Sequence, residues 1–135
     1  MKNIKSIILS ILAAIILIGG AIYIANGKPI DQADEISVKN VSVIDGKQII
    51  ELKAKGGYRP AHTLAKAGMP TILRLNTSGT VDCSSALRIP SLNISKNLPL
   101  SGVTDIDLGI QNAGTIAGTC GMGMYPFDIK FEEGV

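Results

Sequence analysis

Hydrophobic and polar positions follow two regimes along the chain. Residues Ser6 to Gly27 carry no charge, and Ile7 to Ala25 is almost entirely Ile, Leu, Ala and Gly. At 1.5 Å rise per residue, about 20 such residues cross a hydrocarbon layer ~30 Å thick, so this run predicts one N-terminal transmembrane helix. Lys2 and Lys5 ahead of it would hold the N-terminus in the cytoplasm and put everything after Lys28 on the far side of a cell membrane. A cleaved signal peptide is the competing reading, although the apolar region of such a peptide is usually shorter, about 7 to 15 residues. No cysteine follows the run, which excludes a lipoprotein anchor.

Beyond Lys28 the periodicity changes. Pro29, Asp31, Asp34 and Glu35 make residues 28–40 a polar tether, and from Val41 apolar residues alternate in short runs. Val41-Ser42-Val43 and Ile50-Glu51-Leu52-Lys53-Ala54 flank Asp45-Gly46, a pair that accepts the positive φ angles of a tight hairpin turn. Gly56-Gly57-Tyr58-Arg59-Pro60 breaks the alternation. Short strands are predicted from His62 to Ala65, from Thr71 to Asn76 with Thr71, Leu73 and Leu75 on one face, and from Ala86 to Ile89, stopped by Pro90.

Ser91 to Pro99 reads as a loop. Thr104 to Ile110 alternates with Asp105 and Asp107 towards water and Ile106, Leu108 and Ile110 inward. Thr115 to Cys120 and Phe127 to Glu132 complete the set. Seven or eight strands at regular spacing, with Gly, Pro and Asn in the turns and no helical period after the first segment, predict an all-β Greek-key β-sandwich. The expected organisation is an anchor or uncleaved signal over 1–27, the tether, and one domain over 41–135.

Composition narrows the partners. Of thirteen basic residues, Lys2 and Lys5 precede the apolar run, and the remaining eleven balance eleven acidic ones. With no basic stripe, nucleic acid is not an expected partner. A small ligand or another membrane-associated protein fits better. Three short Asn-x-Ser matches, at Asn40, Asn76 and Asn93, are too unspecific to use.

The candidate chemistry is sulfur. In Cys120-Gly121-Met122-Gly123-Met124 a thiol and two thioethers occupy every second position, and the chain has one other cysteine, Cys83. Thiolate and thioether donors select Cu(I) among biological metals. The glycines free the backbone to curl these sulfurs towards one point. A structural Cys83–Cys120 disulfide is the alternative for the two thiols, because exported domains oxidise. His62 is the one histidine, and a lone histidine opening a strand is ordinarily a surface or packing residue. Met69, before Pro70, reads as apolar filler, and Tyr58 and Tyr125 as caps on the sandwich. Asp105 and Asp107 read as a solvated face, and no nucleophile triad, phosphate loop or zinc-enzyme motif supports catalysis, so the protein is not expected to be an enzyme.

The order Gly57-Tyr58-Arg59-Pro60, Ala67-Gly68-Met69-Pro70-Thr71, Leu73-Arg74-Leu75-Asn76 and Cys83, followed by Gly114-Thr115 and a strand ending at Cys120, resembles the cupredoxins, roughly from Val41 to Phe131. It looks most like the cupredoxin-like domains of membrane-anchored or periplasmic bacterial proteins. The resemblance implies copper, with Cys120 at the family's cysteine, Met122 or Met124 at loop positions, and Cys83 where an early histidine is usual. Both family histidines are missing, and a blue-copper centre rests on a His2Cys set. The expected ligands are therefore Cys83, Cys120, Met122 and Met124, holding Cu(I) for buffering or transfer. Cupredoxin electron transfer and a metal-free interaction domain stapled by the disulfide are the alternatives.

Overall fold

The structure, a computed structural model, describes residues 2–25 and 39–134, with side chains for 3–18 and 39–134. The chain divides into two units, residues 1–32 and 33–135. In the first, α1 runs from Lys2 to Ala25, and the apolar side chains described in it, from Ile4 to Ile18, are exposed, Leu9 and Leu17 among them. Among the described residues, no helix is long and apolar enough to cross a membrane. Most of the tether expected over 28–40 lies outside the described residues.

The second unit is a two-layer β-sandwich. One sheet contains β1 (Val41–Ile44), β2 (Lys47–Ala54), β5 (Pro70–Thr77) and β8 (Gly102–Ile110) in that spatial order, with β3 (Tyr58–Arg59) also paired to β2. The other runs β4 (His62–Lys66), β10 (Phe127–Glu132), β9 (Gly114–Cys120), β6 (Ala86–Ile89), β7 (Ile94–Asn97). The expected hairpin forms around Asp45 and Gly46, both at positive φ, with Ile44 opposite Lys47. Two pairings are parallel, β2 with β5 and β4 with β10, so strands distant in sequence lie side by side.

Alternation dictates the core. Ile50, Leu52, Leu73 and Leu75 from one sheet meet Leu87, Ile89, Ile116, Ile129 and Phe131 from the other, all essentially out of water. On the outer face, Asp105 sits opposite Arg74 in register and accepts two hydrogen bonds from its guanidinium, at 2.8 and 2.9 Å. This ion pair holds the Asp105 carboxyl below its ordinary value. Asp107 accepts the Gly109 N–H instead, at 2.8 Å. The two carboxylates thus serve separate local contacts.

Two expectations are corrected. Ile110 does not face inward. The register between β5 and β8 shifts, with Thr71 opposite Gly109 but Ile72 opposite Asp107, and the irregularity leaves Ile110 64 % exposed. The segment expected to be a loop over 91–99 contains β7, which pairs with β6 from Ala86–Asn97 to Ile89–Ile94. As an edge strand it buries little, so its sequence is polar and lacks the two-residue signal.

One buried polar side chain ties the sheets together. Gln48, on β2, is almost wholly buried. Its amide donates to the Lys66 carbonyl at 3.1 Å and to Thr71 Oγ1 at 3.0 Å, and its oxygen accepts the Lys66 N–H at 2.8 Å. It therefore completes the end of β4 in the opposite sheet. Gln48→Ala would strand the Lys66 backbone groups, each worth about 1–3 kcal/mol when left unpaired in the interior. We expect a loss of at least about 2 kcal/mol, read as a lower urea midpoint, whereas Lys130→Ala on the surface should change stability by less than about 0.5 kcal/mol.

Candidate metal centre

The two cysteines reach one point from different directions. Cys120 ends β9, opposite Leu87 of β6, with its side chain directed into the core and no exposure to water. Cys83 opens a single 3-10 turn, Cys83–Ser85, in the crossover that leaves β5 and enters β6. It is only partly buried. A disulfide joins them, with Cα atoms 5.7 Å apart, inside the usual range for such a bond.

The crossover is braced from three sides. Asp82 caps the turn by accepting the Ser84 N–H at 2.8 Å and the Ser84 hydroxyl, and its other oxygen accepts the Gly56 N–H at 2.9 Å. These bonds, that from the Ser84 side chain foremost, hold the Asp82 carboxyl below its ordinary value. Tyr58 donates its hydroxyl to the Ser84 carbonyl at 3.0 Å. Burial, and then the nearby Asp82 charge, push the Tyr58 phenol well above its usual value, so it stays a hydrogen-bond donor. Sequence reasoning missed Asp82 and Ser84. The signal was present in Asp82-Cys83-Ser84, the short capping pattern of an aspartate two residues before a serine.

The strand bearing Cys120 is fixed by a close approach. Gly118 lies under the ring of Phe127, and a Cβ there would fall 2.2 Å from Phe127 Cζ. Phe127 in turn packs on Tyr58, ring centres 4.9 Å apart. A hydrogen-bonded chain of contacts thus runs from the Cys83 turn through Tyr58 and continues by packing to the strand of Cys120.

The methionine loop leaves this frame at once. Gly123 N–H returns to the Cys120 carbonyl at 2.9 Å, and the Met124 N–H donates to Cys120 Sγ at 3.3 Å. Met122 and Met124 are 78 % and 58 % exposed. Apolar side chains that find no core in a glycine-rich loop are available to a ligand. Tyr125, half-buried, closes the loop against the core beside Gly57.

The remaining sulfur and imidazole groups lie elsewhere. His62 is on the outer face of β4, paired with Asp128, and β10 stands between it and the strand of Cys120. Met69 precedes the start of β5, whereas Cys83 follows its end. Among the described residues, no three His, Cys, Asp or Glu side chains gather as a metal site. Among the described residues, the sulfur atoms at this end of the sandwich belong to Cys83, Cys120, Met122 and Met124. Once the disulfide is reduced, such a donor set would suit a monovalent soft cation: two cysteine sulfurs side by side, with thioethers on the loop that begins at Cys120.

A cupredoxin-like domain model matches residues 14–130. The chain belongs to the cupredoxin-like domain family. Among solved structures, this cupredoxin-like chain is similar to the metal-binding domain of the Cu(I)-exporting P-type ATPase CopA from Streptococcus pneumoniae D39, solved with Cu(I). The identity is 22 % and the TM-score 0.64, over 73 % of this chain and 99 % of that one. It is similar at the same identity and TM-score to a copper-binding protein solved in its apo form by NMR, over 71 % of this chain and 98 % of that one. At this identity the likeness is one of fold. No curated protein matches the cupredoxin-like chain significantly.

Two outcomes follow for stability. The disulfide spans 37 residues, and the chain-entropy relation makes such a closure worth about 4 kcal/mol, so reduction should lower the urea midpoint by a corresponding amount while the sandwich remains folded. Gly118→Ala should cost about 1–3 kcal/mol through overpacking against Phe127, detectable as a lower melting temperature with the disulfide intact.

Proposed function

We propose that this protein is an extracytoplasmic Cu(I)-binding domain, held at the membrane by its N-terminal helix, that buffers copper or passes it to a protein at the membrane surface. Copper is cargo in this reading. The observation that carries it is the convergence of Cys83 and Cys120 at the base of a loop that leaves two methionines in water. In the reduced protein Cys83 and Cys120 supply thiolates, and Met122 or Met124 completes the set with a thioether. Sulfur donors alone favour Cu(I) over Cu(II), and the family membership and the copper-binding neighbours of the same fold support the choice of metal. The membrane placement is supported by the uncharged run from Ile7 to Ala25 and by the exposed apolar side chains described from Ile4 to Ile18.

The disulfide itself favours a second reading, in which the domain is a metal-free interaction module and the two cysteines serve only as a staple. Titration of the reduced full-length protein with Cu(I) against a competing chelator separates the two. One Cu(I) per chain should bind tightly, Cys120→Ser should abolish binding, and the double variant Met122→Leu/Met124→Leu should weaken it by at least about tenfold, the loss of roughly 1.4 kcal/mol. Equal binding by parent and Cys120→Ser would place copper elsewhere, and no uptake by the reduced parent would select the staple. A cupredoxin electron carrier would instead keep an intense thiolate-to-Cu(II) absorption band in the oxidised protein.

A further inference from the structure

The two sulfurs of the disulfide stand in unequal surroundings. Cys120 has no exposed surface, enclosed by β6 and the core. Cys83 is partly open, and Val81, two residues before it, is 85 % exposed. Exchange requires a thiolate to attack one sulfur of a disulfide and expel the other, so access decides which sulfur is attacked. The leaving sulfur is also provided for, because the Met124 N–H points at Cys120 Sγ, 3.3 Å away, where negative charge would develop.

We propose that Cys83 is the electrophilic sulfur of a thiol–disulfide exchange site that takes an external dithiol reductant, with Cys120 as the leaving sulfur. One thiolate of the reductant attacks Cys83 Sγ, the bond between Cys83 and Cys120 breaks, and Cys120 departs with the electron pair. The second thiolate of the reductant then attacks its own sulfur in the mixed disulfide and releases Cys83. The domain gains two electrons and, at neutral thiols, two protons, and the reductant becomes a disulfide. The consequence for copper rests on the function proposed above: in the disulfide form neither cysteine can act as a thiolate ligand, so loading requires this reduction first.

The test uses the oxidised full-length protein and glutathione, a monothiol that stops at the mixed disulfide. Brief exposure, an acid quench, unfolding and alkylation with N-ethylmaleimide allow peptide mass spectrometry to locate the glutathione. At least ten times more adduct on Cys83 than on Cys120 is expected, formed faster than global unfolding. Equal or greater adduct on Cys120, or exchange no faster than unfolding, would overturn the assignment. Cu(I) uptake measured before and after reduction is a separate reading. Selective adduct at Cys83 with no uptake after reduction sinks the copper function and leaves the exchange site standing, whereas uptake without selectivity does the reverse.

Discussion

The bond between Cys83 and Cys120 joins the crossover between the two sheets to the last residue of an interior strand, and the geometry of the sulfur-rich end depends on it. Remove that constraint and Cys83 is a residue in a surface turn. With it, Asp82, Ser84, Tyr58 and Phe127 become a continuous brace around one point. The brace also fixes the root of the loop whose exposed tip carries Met122 and Met124. Binding sites commonly combine a rigid base with an adaptable rim.

That base and rim differ in what they contribute. The base is dry, with the fully buried sulfur of Cys120 in the disulfide and a tyrosine held in its neutral form. The rim is wet and apolar, formed by Met122 and Met124, which are exposed and outside the core. Methionine is suited to this position because its unbranched, polarisable side chain adapts to a target without a large strain cost.

Much of this was legible in the sequence, for reasons that differ from residue to residue. Interior strands such as Thr71–Leu75 and Phe127–Phe131 alternate because both layers bury one face, and their positions were readable for that reason. β7 was not, because an edge strand is held by backbone pairing with β6, which leaves no mark on side-chain pattern. Ile110 misled because a one-residue irregularity reverses the facing of everything past it. The candidate site was visible as a cluster of soft donors, and the resemblance to cupredoxins added Cys83 to it. Its support through Asp82 and Ser84 was hidden, since those bonds depend on where Gly56 and Tyr58 come to lie, some 26 residues away.

The parallel pairing of β4 with β10 has a consequence for how the domain is assembled. His62 and Asp128 face each other across 66 residues, and β10 is the strand that lies between β4 and β9. Until it arrives, the second sheet exists as two separated parts, each with an open edge. A ribosome or a translocation channel that releases the chain in order therefore delivers the unifying strand after the other four described strands of its sheet, and folding topologies of such long range are slow. The cysteines are both available before that strand docks, so the order of oxidation and sheet closure becomes a matter of timing in the compartment where the domain emerges.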